Sequence, residues 1–190
     1  MKHLAILVTI LATACSDDHG HNTQELITTV TLTFTPPAGA PVTASFRDPD
    51  GDGGQAPTVD PVNLAPGTYA TTVKFLNELE TPAEDITVEV MDESEAHQVF
   101  FTGTAPLAHA YADADANGLP IGLANTMTAT AGTGTLTVTL RHLPPVNGTA
   151  VKTAGLAETA KTSGIAALPG ESDANVSFTV TVQYTAVERS

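Results

Sequence analysis

The chain has 190 residues, 42% of them apolar, with 15 Gly, 13 Pro, one Cys and no Trp. This length suits a single domain with a sizeable core, and the apolar content excludes a disordered chain. A single Cys excludes a disulfide framework and a thiolate metal cluster. Seven Lys and Arg against 21 Asp and Glu give a net charge of −14, so we expect no nucleic-acid partner and an attraction for cations.

The first 14 residues are typical of a secretory signal peptide. Lys2 precedes an apolar run over 4–11, and small residues follow at 12–14, where cleavage is expected. The run is shorter than the roughly 20 residues that a membrane-spanning helix needs. Residues 12–15 resemble a bacterial lipobox, in which the Cys is acylated and anchors the protein to a membrane. We therefore predict a signal peptide over 1–14 and lipidation at Cys15, with ordinary secretion and an incidental Cys as the alternative.

The residues after Cys15 bear on location. Residues 16–18, Ser-Asp-Asp, resemble a short acidic signal that sends lipoproteins to the cell surface in one large group of Gram-negative bacteria. This favours a surface-exposed outer-membrane lipoprotein, with a periplasm-facing one as the alternative. The membrane contact is then the lipid alone, on a tether over 15–25. An outer-membrane transporter or another surface protein is the expected partner.

Residues 26–190 predict one all-β domain. Thr, which favours strands, occupies 31 positions. Apolar and polar residues alternate with the period of half-buried strands over 26–34, 135–140 and 176–184. Further candidate strands are 42–47, 68–76, 85–91, 97–102 and 107–112. About eight strands separated by Pro- and Gly-rich turns predict a two-sheet β-sandwich of the Ig-like or Greek-key type.

One segment, 144–173, breaks this pattern. It has no helical apolar stripe, although 153–162 could form a weak helical turn or two. We therefore predict a long mobile loop between two strands, of the kind that is either functional or a poorly ordered insertion.

The domain also contains an internal repeat. With a constant offset of 65 positions, 45–53 aligns with 110–118 and 68–76 aligns with 133–141. In addition, 85–90 resembles 175–180. This predicts two duplicated four-stranded halves, 26–95 and 96–187. Chance similarity between Thr-rich strands is the alternative.

The first copy of the repeat carries a possible calcium loop. Asp48, Asp50 and Asp52 stand at alternate positions before Gly53, as in the opening of known calcium loops. Such spacing brings carboxylate oxygens to one point, and Ca²⁺ binds six to eight oxygens. Asp60 could supply the closing ligand. A turn rich in Asp and Gly without metal is the alternative.

The second copy carries a similar motif. Asp113, Asp115 and Asn117 have the same spacing before Gly118, with an amide oxygen at the third position. We predict Ca²⁺ as a tentative cofactor of both loops, with a metal-free turn as the alternative at each.

Histidines provide the alternative metal site. His19 and His21 lie in the tether, and imidazoles together with carboxylates suit Zn²⁺ or Cu²⁺. His97 begins one predicted strand and His142 ends another, so both are expected at sheet rims, where Glu78 could join them. Capping or solvation of these rim histidines is the simpler expectation.

Motifs of catalysis are missing from the sequence. It contains neither a G-x-S-x-G nucleophile motif nor a phosphate-binding glycine loop. We therefore expect a binding or accessory module, stabilised by Ca²⁺, rather than an enzyme. A Zn²⁺- or Cu²⁺-handling lipoprotein is the alternative, and an unrecognised hydrolase is the third possibility.

Six segments spread along the chain are similar to a family of small, acidic bacterial lipoproteins. They are 15–18, 25–34, 46–54, 75–78, 97–101 and 140–142. The resemblance implies a lipid anchor but no activity that can be assigned to a residue. Some members are described as type 1 periplasmic-binding-domain proteins, a larger two-lobed α/β fold, whereas the strand pattern here indicates an all-β domain.

Overall fold

The computed structural model describes residues 25–51 and 53–184. The predicted signal peptide, Cys15, His19, His21 and Asp52 lie outside the described residues. The strands are β1 (Thr29–Thr35), β2 (Val42–Arg47), β3 (Thr58–Val59), β4 (Val62–Leu64), β5 (Gly67–Leu76), β6 (His97–Gly103), β7 (Leu107–Tyr111), β8 (Ala124–Ala129), β9 (Gly132–His142) and β10 (Glu171–Val182). The helices are α1 (Ile86–Asp92) and α2 (Leu156–Ser163), followed by a 3-10 turn over Ile165–Ala167.

The strands form two sheets, which confirms the predicted β-sandwich. The first has six strands in the order β3-β2-β1-β5-β8-β7, and the second has four in the order β4-β10-β9-β6. Neighbouring strands are antiparallel except β4 and β10, which run parallel. The outermost strands β7 and β6 therefore belong to different sheets. Among the described residues, no helix is long and apolar enough to cross a membrane.

Alternating residues of both sheets form the core. The predicted buried faces of β1, β9 and β10 are confirmed, and their members are Val30, Leu32, Phe34, Leu136, Val138, Leu140, Val176, Phe178, Val180 and Val182. The alternation of buried and exposed side chains ends where the strands cease to pair. Leu26 and Tyr184, which the period places on these faces, lie beyond the strand ends and are exposed.

The predicted strand over 85–91 is wrong, because this segment forms α1. The Asp85 carboxylate accepts a hydrogen bond from the Thr87 amide and caps the helix start. Ile86 and Val90, four residues apart, are buried together, whereas Val88 between them is exposed. A strand would have buried all three on one face, so the apolar residues at every second position were misleading.

The segment 144–173 joins two strands as predicted, but it contains α2 and a 3-10 turn, and β10 begins at its end. The helix lies close to the helical turns that the sequence allowed over 153–162. Ala160 of α2 and Leu168 beyond the 3-10 turn pack on Phe100, on the outer face of the second sheet. The Arg141 guanidinium donates to the carbonyls of Leu168, Pro169 and Gly170. This cluster is small, which explains why no apolar stripe is visible in the sequence.

The structure matches the internal repeat only in part. The aligned segments 45–53 and 110–118 contain the ends of β2 and β7, and 68–76 and 133–141 lie in β5 and β9. However, β2 pairs with β1, whereas β7 and β6 lie in different sheets. The third aligned pair does not correspond, because 85–90 enters α1 and 175–180 lies in β10. Duplication therefore stays a prediction.

Two matched Phe substitutions should separate the core from the outer cluster. Phe178→Ala removes a fully buried ring from between the sheets and should lower the free energy of unfolding by about 3–5 kcal/mol. Phe100→Ala should speed amide hydrogen exchange over 156–168 while the amides of β1 and β5 keep their protection. Loss of protection in both sheets on Phe100→Ala would show that α2 is part of the main cooperative unit.

Candidate metal centre

Two histidines lie side by side at one end of the sandwich. His97 begins β6, His142 ends β9, and the two residues are directly paired in the sheet register. By strand alternation they continue the inward faces formed by Val99 and Leu140. Their rings stack with centroids 4.7 Å apart and an interplanar angle of 9°. Both residues lie at strand ends as predicted, but they are buried, so the expectation of solvation is wrong.

A carboxylate completes a group of three donors. One ligand atom each of Glu93, His97 and His142 lies within 4.8 Å of the others, and no other such group of His, Cys, Asp and Glu occurs over 25–51 and 53–184. Glu93 immediately follows α1. Glu78, the carboxylate suggested by the sequence, accepts a hydrogen bond from the Thr29 hydroxyl at 2.5 Å and is not in this group.

The backbone fixes the tautomer of His97. Its Nδ1 lies 3.2 Å from the Glu93 carbonyl oxygen. A carbonyl can only accept a hydrogen bond, so Nδ1 carries the proton and Nε2 presents its lone pair. Metal-ligating histidines are commonly oriented in this way, with the other ring N–H donated to a carbonyl or carboxylate. His97 is therefore preset to coordinate through Nε2.

A second carboxylate faces that lone pair. The Asp173 Oδ2 lies 3.9 Å from His97 Nε2, and the two side chains are only 1% and 2% exposed. This distance is too long for a hydrogen bond, and among the described residues His97 Nε2 has no hydrogen-bond partner. The backbone amide of Glu25 approaches the Asp173 carboxyl, at a geometry too poor for a full hydrogen bond. Buried polar atoms normally have partners, so these atoms require an explanation, and a bound cation would provide one.

The electrostatics of this cluster also favour a cation. Burial lowers the pKa of His97, and the nearby His142 lowers it further, so the imidazole is neutral at neutral pH. Burial raises the pKa of the Asp173 carboxyl to about 6. Burial together with the neighbouring Glu89 raises the pKa of Glu25 to about 7. The buried Asp173 carboxyl and the half-buried Glu25 carboxyl, beside the neutral imidazole of His97, have the donor chemistry that a divalent metal ion stabilises.

The group is accessible from solvent. A cavity of about 620 Å³ is lined by Glu93 and His142, together with the adjoining segments of 92–96, 116–119 and 144–152. An ion can therefore reach Glu93 and His142 from this side.

The first acidic motif is only partly assembled within the described residues. Asp60 Oδ2 accepts from the Ser45 amide at 3.0 Å and lies 3.4 Å from Arg47 Nη1. Asp50 Oδ2 accepts from the Gln55 amide. One oxygen each of Asp48 and Asp50 is buried without a hydrogen-bond partner. Ca²⁺ in this loop stays a prediction.

The second acidic motif has a structural role. The two oxygens of Asp113 accept from the Gly122 and Ala124 amides, both at 2.7 Å. Asp115 accepts from the amides of Asn117 and Leu119, and its Oδ2 lies 2.8 Å from Lys152 Nζ in a fully buried ion pair. A Ca²⁺ ion here would have to displace this ammonium group.

Asn117 likewise has a protein partner, since its side-chain amide donates to the Glu95 carboxylate at 3.1 Å. The spacing that suggested calcium is thus explained by hydrogen bonds within the turn and by the Lys152 ion pair.

Sequence reasoning selected Glu78 in place of Glu93, and it missed Asp173. Glu93 precedes His97 by four residues, a spacing that becomes informative only once α1 is recognised as a helix. Asp173 lies at a register irregularity between Ser172 and Ala174 in β10, and its burial has no visible signal in the sequence. His109, the remaining described histidine besides His97 and His142, lies elsewhere and bonds to Asn125.

No protein-family model, curated protein or solved structure matches this chain. The function is therefore inferred from the chemistry of the residues at the site.

A double-mutant cycle should test the buried Lys152–Asp115 pair. Asp115→Asn retains the Oδ1 acceptor but leaves the Lys152 ammonium buried without its counter-charge, and should cost about 3 kcal/mol in urea unfolding. Adding Lys152→Met should recover at least about 1 kcal/mol of that loss, because the unpaired charge is removed. Simple additivity of the two single losses would contradict a direct ion pair.

Proposed function

We propose that this protein is a metal-binding β-sandwich module that takes a divalent transition metal, Zn²⁺ in the first place, through Glu93, His97 and His142. The observation that carries the proposal is the buried, stacked histidine pair with a carboxylate, all offering donor atoms within 4.8 Å. Small side-chain rotations can close such a group on an ion at Zn²⁺ bond lengths of about 2.0–2.2 Å.

The donor types favour Zn²⁺ over the other candidate ions. Ca²⁺ prefers oxygen ligands, whereas imidazole suits Zn²⁺ and Cu²⁺. Zn²⁺ has no geometric preference from its d electrons, while Cu²⁺ favours tetragonal sites. Two imidazoles constrained by stacking are therefore better suited to Zn²⁺. Asp173, beside His97, is the next donor available to the ion.

The cellular setting is part of the same proposal. The lipobox-like residues before Cys15 support a lipid-anchored protein, and the acidic residues after it support the outer surface of the outer membrane over the periplasmic side. We propose an accessory module rather than an enzyme, acting beside an outer-membrane transporter or another surface protein. His19 and His21 in the tether offer a second, weaker place for the same ions.

Zn²⁺ titration should distinguish a metal centre from a buried cluster that serves folding alone. At a hundredfold excess over Kd, Zn²⁺ should stabilise the protein by about 2.7 kcal/mol and raise Tm by several degrees. The titration should be done with His19 and His21 replaced by Ala, so that the tether cannot contribute. Ca²⁺ at the same concentration should leave this site unaffected.

Variants should locate that binding. His142→Ala should abolish the Zn²⁺-dependent shift, and Glu93→Gln, which keeps the size of the half-buried side chain, should weaken binding at least about tenfold. His109→Ala is the matched control and should bind Zn²⁺ like the parent. Equal shifts in all three variants, or no shift in the parent, would overturn the proposal.

The Zn²⁺ affinity should also depend on pH. Protons compete with the ion for its imidazole and carboxylate ligands, so Kd should rise as the pH falls from about 7.5 to about 5. Because burial lowers the pKa of His97, the rise should be steepest below the ordinary pKa range of histidine. Isothermal titration at the two values measures this directly. A Kd that does not change would indicate ligands other than the histidines.

A further inference from the structure

A second cavity opens at the edge of the sandwich, away from the metal centre. It has a volume of about 370 Å³ and lies where β6 and β7 are the outermost strands of their sheets. Its floor is apolar and consists of Phe101, Met127 and Leu136, all buried members of the main core. A cavity with such a floor suits a small apolar body.

One wall of this cavity is an aromatic side chain held in place by hydrogen bonds. The Asn125 amide nitrogen donates to the Gly122 carbonyl at 2.8 Å, so the Asn125 Oδ1 is directed at His109 Nε2, also 2.8 Å away. The His109 ring packs against Phe101 with centroids 4.4 Å apart. Burial lowers the pKa of His109, so the ring is a neutral aromatic surface at neutral pH.

An unpaired cation lies beside this wall. Lys161 of α2 lines the cavity, and its charge is close enough to lower the pKa of His109 further. Within the described ranges, Lys161 is the one Lys or Arg that forms neither an ion pair nor a hydrogen bond. The other four are Arg47 with Asp60, Lys74 with Asp85, Lys152 with Asp115, and Arg141 with backbone carbonyls.

Lys161 is the one charged side chain among the residues that line the cavity, although acidic residues outnumber basic ones threefold in the sequence. A cation beside an apolar cavity with an aromatic wall is complementary to a ligand that carries an anionic group on an apolar ring.

We propose that this cavity binds a small aromatic monocarboxylate, with the ring against Phe101, Met127 and Leu136 and the carboxylate paired with Lys161. His109 forms the side wall and Asn125 holds it in place. The site is independent of the metal centre, because it shares no residue with Glu93, His97 and His142.

Benzoate is the probe for this site, and benzyl alcohol is its neutral counterpart of similar size. Both are titrated into the protein in EDTA, with binding measured by calorimetry and by NMR shifts of the amides over 101–109. Benzoate should bind saturably, and Lys161→Gln should weaken it about two- to fivefold, since an exposed ion pair is lost. Lys161 is exposed on α2, so this substitution should leave the fold intact.

Three controls test whether the effect is specific to the charge of Lys161 and to this cavity. Lys74→Gln, which removes a lysine paired with Asp85, should leave benzoate binding unchanged. Benzyl alcohol should bind more weakly than benzoate and should respond equally in wild type and Lys161→Gln. His142→Ala should bind benzoate like wild type, which separates this site from the metal centre. No saturable binding, or equal benzoate affinity in wild type and Lys161→Gln, would overturn the proposal.

Discussion

Face-to-face packing of the two sheets is the interaction on which the rest of the structure depends. Strand alternation sends every second side chain into the shared core, and this rule continues to the first residue of β6 and the last residue of β9. His97 therefore occupies the inward position two residues before Val99, and His142 the one two residues after Leu140. The pairing that builds the apolar core thus also places two imidazoles against each other at its end.

Buried polar groups at the end of a core need partners, and the domain satisfies them in different ways. Arg141 donates to a series of carbonyls, and Lys152 pairs with Asp115. His97 differs, since one ring nitrogen has a carbonyl partner while the other faces Asp173 at 3.9 Å. A neutral imidazole and a buried carboxyl at that distance do not satisfy each other, whereas a metal ion between them would satisfy both.

The sequence allowed the sandwich to be predicted because β1, β9 and β10 alternate strictly over most of their length. It was ambiguous at α1, where Ile86, Val88 and Val90 fit a period of two and only the Asp85 cap indicates a helix. In 144–173 the anchor of α2 is a single ring, Phe100, supplied by a strand distant in sequence. Such long-range contacts have no local signal.

The candidate site, like the fold, could be predicted from the sequence only in part. His97 and His142 were identifiable as residues at strand ends, but their contact depends on the β6–β9 register, which the sequence does not encode locally. The carboxylate named from the sequence was Glu78, whereas the turn after α1 delivers Glu93. In the acidic motifs, spacing alone could not distinguish a metal loop from a turn. The carboxylate oxygens of Asp113 and Asp115 that could coordinate a metal ion instead accept hydrogen bonds from backbone amides.

X-ray absorption at the zinc edge, on protein loaded with one equivalent of Zn²⁺ and lacking His19 and His21, tests the central claim most directly. We expect two imidazole ligands together with one or two carboxylate oxygens, at bond lengths of about 2.0–2.2 Å. A spectrum with oxygen ligands only, or with no imidazole scattering, would contradict a metal centre at His97 and His142.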